Sequence, residues 1–531
     1  MFNKNIKARG DATHYMTPQS PPDGIAILDF GGQYCHLIAR RVREMSVYTE
    51  ILPSDATAEE VRALGRVMNV KGIIFSGSPS SVKARDSLRL DPAILELGVP
   101  VLGLCYGLQL LADMHGGELV KAREYGVTEA IIDEPVGVLE GLDSCQQVWM
   151  SHGDTVSRAP EGFTVLAHTD RAPVAAMRHD VKPIYGLQWH PEVHHTEHGA
   201  EMLRNFVFKV CGCEPNWRPL DRVEEAVKAI RLRVGDGKAI IALSGGVDSS
   251  VAAALAGMAL GERLFAVHVD QGFMRMHESE GVEEAFRGRG INLVVVRAKE
   301  RFLRRLRGVA DPEEKRRIIG EEFIRVFEDE ARKVGAEYLI QGTIYPDRIE
   351  SGITRNSDTI KTHHNVGGLP LRMEFRAVID PLQDLYKDEV RALGERLGLP
   401  RELVWRQPFP GPGLAVRVMG AVTEEKLEAL RMADAIVVEE VERHPFKERL
   451  WQYFAVLTDT KSTGVKGDER AYGWTVAVRM VESVDAMTAS FSKAPWEVLE
   501  RISTRIGNEV PGVTRVVYDV THKPPGTIEW E

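Results

Sequence analysis

Residues 239–255, AIIALSGGVDSSVAAAL, decide how the middle of the chain folds. An apolar run with strand character, Ala239–Leu243, leads through a loop of small residues, 244–249, into a helical pattern. Backbone N–H groups of such a loop, together with the helix N-terminus, form a cradle for anionic oxygens, and Gly245 and Gly246 let the backbone approach them closely. No Lys follows the glycines, so the loop is not the GxxxxGK[ST] motif of P-loop enzymes. The GxGxxG motif of dinucleotide-binding folds is absent as well. The segment predicts a phosphate site, and a tight turn that merely favours Gly and Ser is the alternative.

The pattern on either side of this segment predicts three folded parts. Residues 24–210 alternate short apolar runs with helical patterns, which is typical of an α/β unit with a central sheet. Residues 211–406 place strand-like runs between helical stretches, as expected for parallel strands joined by crossovers. Residues 407–531 open with QPFPGPG and mix long helical patterns with strand-like runs at 474–481 and 513–520, so we expect an α+β fold there.

Composition narrows the class of protein. The chain has 531 residues, 44% hydrophobic and 27% charged, which is ordinary for a globular protein of several domains. Its formal charge of -10 has the wrong sign for binding nucleic acid over a surface, although a local basic pocket could still hold a nucleotide. The five cysteines, at positions 35, 105, 145, 211 and 213, are too few and too scattered for a disulfide framework. We therefore expect a cytoplasmic protein without a nucleic-acid partner.

The sequence offers no segment for the membrane. The longest apolar run, Val251–Leu260, is about half of the ~20 residues that cross a bilayer. The first residues, MFNKNIKARGDATHYMTPQSPP, lack the apolar centre of a signal peptide. We expect neither export nor a membrane span, and we interpret residues 1–23 as a flexible polar extension.

A second set of reactive residues lies in the first predicted part. The stretch VPVLGLCYGLQLLA, residues 99–112, places Cys105 between a buried strand and a helix, with a glycine two residues to either side. Such a sharp turn exposes a side chain at a helix N-terminus, as a nucleophile elbow does. A later strand ends in QWHPEV, which offers His190 as a base and Glu192 as the residue that orients it. The alternative is that Cys105 packs as a small buried hydrophobe.

Metal binding is a competing interpretation of the same region. The run HPEVHHTEH brings four histidines close together, at positions 190, 194, 195 and 198. Zinc needs a preformed ligand set, and this run is not HExxH and is interrupted by Pro191. We favour a solvated turn, and we regard the isolated CxC of Cys211 and Cys213 as part of a linker.

These two regions resemble two known enzyme families. SGGVDSS is similar to the pyrophosphate loop of the ATP pyrophosphatases, which cleave ATP to AMP and pyrophosphate. The resemblance implies that Asp248 contacts magnesium and that hydroxyl groups bind phosphate. The loop residues that it implies are Ser244, Gly245, Gly246, Val247, Asp248, Ser249 and Ser250. The Cys, His and Glu set resembles the class I glutamine amidotransferases, which hydrolyse glutamine to glutamate and ammonia.

The amidotransferase resemblance also implies an oxyanion hole. GIIFSGSPSS, residues 72–81, is similar to the loop of that family whose backbone amide stabilises the oxyanion, here at Gly77. The amide of Tyr106 is the implied partner. Relatives usually carry a second glycine where this chain has Ser78.

An ammonia-releasing part joined to an adenylylating part indicates an amidating enzyme, and NAD, asparagine and GMP synthetases are the candidates. Five further segments resemble the GMP synthetase family nearly word for word. They are GTIYPDRIES (342–351), IKTHHNVGGLP (360–370), LYKDEVRALG (385–394), PFPGPGLAVRV (408–418) and KPPGTIEWE (523–531). The resemblance runs from about Gly24 to Glu531, and it departs from the family pattern at Gln407 and Gln271.

This resemblance implies the architecture and the substrates. The expected parts are a class I amidotransferase α/β domain, an adenine-nucleotide α-hydrolase-like parallel-sheet domain and a C-terminal α+β domain that forms a homodimer. The expected substrates are xanthosine 5'-monophosphate (XMP), ATP with Mg²⁺, and glutamine. The residues implied to bind XMP are Arg316, Lys523 and Glu529. The residues implied for a lid or for pyrophosphate are Lys361, His363, His364 and Lys387.

Less specific interpretations of these residues remain open from sequence alone. Arg316 and Lys387 could be solvated charges on helices, and the tail with Lys523 could complete a sheet or a dimer interface. Another amidating enzyme would keep Cys105 and Asp248 but would not use XMP. A catalytically inactive binding protein would have no need for the intact residue sets.

Overall fold

The computed structural model describes residues 21–352, 375–466, 468–483 and 488–531. These residues form two compact units. The first unit contains the described residues up to Glu225 and the helix that begins at Tyr345, and the second contains residues 226–344 and the described residues from 375 onward. The predicted N-terminal extension, except for its last residues, and the predicted lid residues Lys361, His363 and His364 lie outside the described residues. Among the helices that are described, none is long and apolar enough to cross a membrane.

The first unit is built on a mixed sheet that has nine strands among the described residues. Its strands are β1 (Asp23–Asp29), β2 (Tyr48–Pro53), β3 (Asn69–Phe75), β4 (Val101–Leu104), β5 (Glu118–Ile132), β6 (Cys145–Arg158), β7 (Phe163–His168), β8 (Ala176–His179) and β9 (Ile184–Leu187). Its first helices are α1 (Cys35–Arg43), α2 (Ala58–Ala63), α3 (Tyr106–Met114) and α4 (Gly199–Arg204). The spatial order is β2-β1-β3-β4-β9-β8-β7-β5-β6.

The parallel half of this sheet carries the apolar runs that predicted it. Strands β2, β1, β3, β4 and β9 pair in parallel, and the remaining pairs are antiparallel. Residues 25–28 of β1 are completely buried, because strands in a parallel sheet are covered on both faces. The loops that follow β3, β4 and β9 therefore meet at one edge of the sheet.

The second unit begins with a parallel sheet. After α5 (Val223–Val234) its strands are β10 (Ala239–Ala242), β11 (Leu264–Asp270), β12 (Asn292–Arg297), β13 (Tyr338–Ile340) and β14 (Ala377–Ile379), in the order β12-β11-β10-β13-β14. Every pair in it is parallel, as the crossover pattern predicted. The helices of this stretch are α6 (Val247–Leu260), α7 (Glu278–Phe286), α8 (Lys299–Arg305), α9 (Pro312–Val334), α10 (Tyr345–Gly352), α11 (Lys387–Arg396) and α12 (Arg401–Val404).

Helix α10 belongs to the first unit although its sequence neighbours lie in the second. The Tyr345 hydroxyl accepts a hydrogen bond from the backbone N–H of Ile51 at 2.7 Å. Arg348 donates to the Glu50 carboxylate at 2.5 Å, so both hydrogen bonds join α10 to strand β2.

The last part of the chain shares a hydrophobic core with the parallel sheet. Its elements are α13 (Glu424–Glu442), β15 (Gln452–Lys466), β16 (Glu469–Glu482), β17 (Ser490–Phe491), α14 (Trp496–Glu509) and β18 (Val513–Tyr518). One cluster of buried side chains includes Phe273 and Phe302 beside the parallel sheet and Leu430 and Val478 from this part. Both predicted strand-like runs are strands, and the 15-residue strand β15 was not predicted. The predicted boundaries at 210/211 and 406/407 stay predictions.

Candidate active sites

Cys105 occupies a strained turn between β4 and α3. Its backbone lies at φ 52° and ψ -102°, in the left-handed half of φ space that a residue with a side chain rarely adopts. A side chain on Gly103 would meet the Gly107 carbonyl carbon at 2.5 Å, and one on Gly107 would meet Phe75 at 2.8 Å, so neither position has room for a side chain. The turn directs the Cys105 side chain at the edge of the sheet, and its Sγ lies 3.7 Å from the Ser151 carbonyl oxygen.

His190 and Glu192 form a hydrogen-bonded pair in the turn after β9. The Glu192 Oε1 atom lies 2.7 Å from His190 Nδ1, and both side chains are buried. The pair is held through its backbone as well, because Thr196 donates to the His190 carbonyl at 2.6 Å and Arg41 donates to the Glu192 carbonyl at 3.1 Å. This bond leaves the Nε2 side of the imidazole for proton exchange, which is how a carboxylate orients a catalytic histidine.

The electrostatics of the pair favour a charged imidazole. Burial by itself lowers the pKa of His190, but the Glu192 carboxylate and the neighbouring Cys105 raise it by more, so that the pKa lies well above its ordinary value. A histidine in that state stabilises an adjacent thiolate, and the thiolate is the nucleophilic form of cysteine.

The predicted oxyanion loop borders the same pair. A side chain placed on Gly77 would lie 3.2 Å from His190 Cε1 and 3.8 Å from Cys105 Cβ. Tyr106 is the first residue of α3, where backbone N–H groups have no partner within the helix. The Ser78 hydroxyl accepts a hydrogen bond from the Ser80 N–H at 3.2 Å and so turns the chain of the loop.

The other histidines near this pair have different partners. His198 Nδ1 lies 2.8 Å from the Gln146 side-chain oxygen, and the ring centres of His194 and His195 lie 3.9 Å apart with their planes tilted by 52°. No group of three or more His, Cys, Asp or Glu side chains arranged to hold a metal ion occurs in the described parts of the chain.

The loop from Ser244 to Ser249 of the second unit is closed by its own hydrogen bonds. The hydroxyl oxygens of Ser244 and Ser249 lie 3.0 Å apart, and the Gly246 N–H donates to the Ser244 hydroxyl at 3.3 Å. Gly342 backs the loop so closely that a side chain there would come within 2.9 Å of the Asp248 carbonyl carbon. Ser250 is completely buried in the first turn of α6, whereas Ser244 is exposed.

Asp248 is the loop residue that could hold a divalent cation. Its Oδ2 atom lies 2.5 Å from Lys387 Nζ at the start of α11. Within the described residues its Oδ1 atom is buried and has no hydrogen-bond partner. A carboxylate oxygen of this kind, beside a phosphate cradle, fits Mg²⁺, which binds proteins through one or two carboxylates and completes its shell with phosphate and water.

Three buried cations hold the C-terminal segment of the chain, residues 521–531. The side chains of Lys315, Arg417 and Arg479 each have no exposed surface. Arg479 donates to the Thr521 carbonyl at 2.5 Å and to the Thr527 carbonyl at 3.1 Å, and so joins the two sides of the turn that contains Pro524 and Pro525. A buried charge is tolerated when it is paired, so the segment is fixed at several points.

Glu529 and Lys523 lie on this segment in different surroundings. Arg417 binds both carboxylate oxygens of Glu529, at 3.0 and 2.8 Å, and Gln452 donates to the same carboxylate at 2.8 Å. Burial raises the pKa of Glu529, but Arg417 lowers it by more, and the carboxyl stays ionised. The backbone of Lys523 forms two hydrogen bonds with the backbone of Ala489, at 2.7 and 3.0 Å. These main-chain bonds fix the position of Lys523.

Arg316 meets the end of the same segment. Its guanidinium donates to the Glu531 carbonyl oxygen, and Lys315 pairs with the Glu531 carboxylate. The structure thus brings Arg316 and Glu529 to one short segment of chain.

Comparisons with known proteins match three stretches of the chain to known families. The family "Glutamine amidotransferase class-I" matches residues 26–210, "NAD synthase" matches 220–295 and "GMP synthase C terminal domain" matches 439–530. A glutamine-hydrolyzing GMP synthase of Geobacillus kaustophilus is 55% identical over 511 residues, which cover 96% of this chain and 99% of that protein. One of Symbiobacterium thermophilum is 56% identical over 514 residues, with coverages of 96% and 99%.

The chain belongs to the glutamine-hydrolysing GMP synthase family. The predicted fold class, an amidotransferase joined to an ATP pyrophosphatase and a GMP synthase C-terminal domain, is confirmed by these matches and by the parallel sheet of the second unit. The roles of the individual site residues stay predictions.

The two glutamines that depart from the pattern of the GMP synthase family form hydrogen bonds at or next to the PFPGPG segment. The Gln407 side-chain oxygen accepts a hydrogen bond from the Tyr453 N–H at 2.8 Å. The Gln271 side chain donates to the Gly411 carbonyl at 3.0 Å. Both glutamines therefore have a structural partner in this member of the family.

Replacing Glu192 with Gln is expected to weaken glutamine hydrolysis in this enzyme by about 10²-fold, the lower end of what a positioned acid or base contributes. The change removes the charge that raises the pKa of His190, so that pKa should fall. The pH dependence of Cys105 alkylation by iodoacetamide measures this change in the pKa of His190.

The matched control is Glu197→Gln, since Glu197 is an exposed carboxylate in the same turn. Unchanged hydrolysis and an unchanged alkylation profile in Glu192→Gln would contradict the orienting role.

Proposed function

We propose that the enzyme makes GMP in two coupled half-reactions, with glutamine hydrolysis at Cys105 and XMP activation at the Ser244–Ser250 loop. The observation that supports it most is that one chain, matched over 96% of its length by a GMP synthase, holds both reactive sets intact. In the first set Cys105 stands beside the hydrogen-bonded His190–Glu192 pair. In the second, Asp248 keeps a carboxylate oxygen without a hydrogen-bond partner in the described structure.

Glutamine hydrolysis follows from the first set. The Cys105 sulfur attacks the carboxamide carbon of glutamine, and His190 holds the proton that the thiol loses. Backbone N–H groups at Gly77 and Tyr106 stabilise the negative charge on the carboxamide oxygen. His190 then gives its proton to the leaving nitrogen, which departs as ammonia, and water cleaves the thioester to glutamate and the free thiol.

XMP activation follows from the second set. The loop backbone and the Ser244 and Ser249 hydroxyls bind the phosphates of ATP, and Asp248 and Lys387 lie where the pyrophosphate leaves. Bound Mg²⁺ would neutralise charge on those phosphates. The C2 oxygen of XMP attacks the α-phosphorus of ATP, pyrophosphate leaves, and ammonia then displaces AMP from C2 to give GMP.

XMP itself is assigned to the C-terminal segment. Arg316 and Lys523 supply positive charge for its phosphate, and Glu529, which stays ionised beside Arg417, accepts N–H donors of the base. A rigid segment is suited to this, because side chains that are already ordered lose less entropy when the ligand binds.

One assay tests the proposed reaction. With XMP, ATP, Mg²⁺ and glutamine, the enzyme should produce GMP, AMP, pyrophosphate and glutamate in equal amounts. NAD synthesis is the second candidate, because the "NAD synthase" family matches residues 220–295. Replacing XMP with nicotinate adenine dinucleotide distinguishes the two, and we expect no product from it, since the C-terminal match is to GMP synthase.

Lys523→Ala is expected to raise the XMP concentration for half-maximal rate at least about tenfold, equivalent to about 1.4 kcal/mol of binding free energy. The reason is that a lysine ammonium is a compact charge suited to a nucleotide phosphate. Titrating XMP and ATP separately, with ammonium as the nitrogen source, measures the effect, and the ATP value should change little.

Lys493→Ala is the control, since Lys493 is a lysine of the same part of the chain with no assigned role. An unchanged XMP dependence in a folded Lys523→Ala variant would contradict the assignment of Lys523 to the XMP site and would indicate a structural role for the segment.

A homodimer through the C-terminal part is supported by apolar surface there. Val465 and Tyr472 near the turn between β15 and β16 are 76% and 69% exposed, and Val517 on β18 is 41% exposed. Exposed apolar side chains of this kind occur at interfaces, although single ones are also common on ordinary surfaces. A cytoplasmic location is supported by the five cysteines, which are all free thiols.

A further inference from the structure

The Arg406 side chain bridges the phosphate loop and the start of helix α7. One guanidinium nitrogen, Nη1, donates to the Gly245 carbonyl oxygen at 2.6 Å. The other, Nη2, lies 2.6 Å from the Glu278 carboxylate at the start of α7. Only 16% of the Arg406 side chain and 10% of the Glu278 side chain are exposed. A planar guanidinium that is held at both of its terminal nitrogens, Nη1 and Nη2, has little freedom to move.

The bond to Gly245 fixes the orientation of one peptide group in the loop. In a trans peptide the carbonyl and the following N–H point in opposite directions. Holding the Gly245 carbonyl toward Arg406 therefore holds the Gly246 N–H on the opposite side, where it donates to the exposed Ser244 hydroxyl at 3.3 Å. That N–H is one of the donors that a phosphate cradle needs.

Gly245 is confined from two sides by its neighbours. It lies at φ 80°, and a side chain there would come within 3.0 Å of Val282 and 3.1 Å of Arg406 Nη1. The glycine that gives the loop its shape is thus also the residue that lets the guanidinium approach the carbonyl.

The surroundings of Arg406 indicate a positioning role and not a role in neutralising phosphate. Its charge is already paired with Glu278, whose second carboxylate oxygen accepts a hydrogen bond from the backbone N–H of Arg275 at 3.0 Å. Its guanidinium carbon lies 5.9 Å from the centre of the Phe409 ring, within the range of a cation–π contact. Phe409 belongs to the PFPGPG segment, so this segment supports the loop through Arg406.

We propose that Arg406 is a positioning residue for XMP adenylylation: it orients the Gly245–Gly246 peptide so that the loop is ready to receive the pyrophosphate portion of ATP. The inference rests on the proposed role of the loop in binding ATP. It assigns a function to Arg406, the residue that precedes Gln407 and the PFPGPG segment.

The test measures the ATP dependence of GMP synthesis from ammonium, and XMP-dependent exchange of labelled pyrophosphate into ATP. Arg406→Gln should raise the KM for ATP at least about tenfold, while the KM for XMP stays within about twofold. Arg406→Lys keeps the charge but not the two-pronged geometry, so it should restore only part of the ATP affinity. Glutamine hydrolysis should be unchanged in both variants, and Arg401→Gln, at an exposed position on α12, is the matched control.

The outcomes separate the proposal from its premise. An ATP KM within about twofold of the parent in folded Arg406→Gln, with activity lost in Asp248→Ala, would overturn the positioning role and leave the loop assignment intact. Full activity in both variants would reject the loop assignment together with the proposal. If Arg406→Gln does not fold, Arg406→Lys decides: a raised KM for ATP with an unchanged KM for XMP supports the proposal, and unchanged values for both overturn it.

Discussion

The Cys105→Ala variant is expected to lose GMP synthesis from glutamine by at least ~10³-fold, the scale on which removal of a catalytic nucleophile acts, and to keep synthesis from ammonium within about twofold. The sulfur takes part only in releasing ammonia, so a variant supplied with ammonia does not need it. Parallel assays of GMP formation with glutamine and with an ammonium salt measure both halves of this expectation.

Cys145→Ala is the matched control, because Cys145 is an exposed cysteine on β6 of the same unit. It should leave both activities unchanged. Loss of the ammonium-dependent reaction in a folded Cys105→Ala variant would contradict the division of the chemistry between two sites.

The Asp248→Ala variant is expected to show the opposite pattern and to lose synthesis from both nitrogen sources, by at least ~10²-fold. The carboxylate is the group on the loop that fits Mg²⁺, and without it the charge that develops as pyrophosphate leaves is less well neutralised. Glutamate release from glutamine by Cys105 should survive, and measuring it in the same preparation shows that the protein is folded.

The control for this variant is Asp236→Ala, at an exposed position just before β10. Normal turnover with ammonium in Asp248→Ala would exclude the proposed metal contact.

The sequence predicts those parts of the sites in which the reactive residues and the local structure that positions them lie in one short stretch of chain. Strand β10 covers all but the last residue of the predicted run Ala239–Leu243. Helix α6 follows as predicted, but it begins at Val247, inside the predicted loop 244–249. His190 and Glu192 could be paired in advance because they are two residues apart in one turn. In each case the signal lies within a few adjacent residues.

The interactions that escape sequence reasoning join distant residues. Arg417 and Glu529 are 112 positions apart, and Arg406 and Gly245 are 161 apart, so no local spacing indicates either pair. Strand β15 was missed for a related reason: its buried residues are 452–457, and most of the residues after them are polar and are held by pairing with β16.

The bend at Cys105 also bears on directed evolution. An L residue in such a backbone conformation costs about 1–3 kcal/mol of stability, and glycine is the residue that avoids this cost. Thermal selection of a mutant library that is fed ammonium salts should therefore enrich glycine at position 105, whereas the same selection fed glutamine should retain cysteine. The nitrogen source in the growth medium would decide whether the protein evolves toward heat resistance at this position.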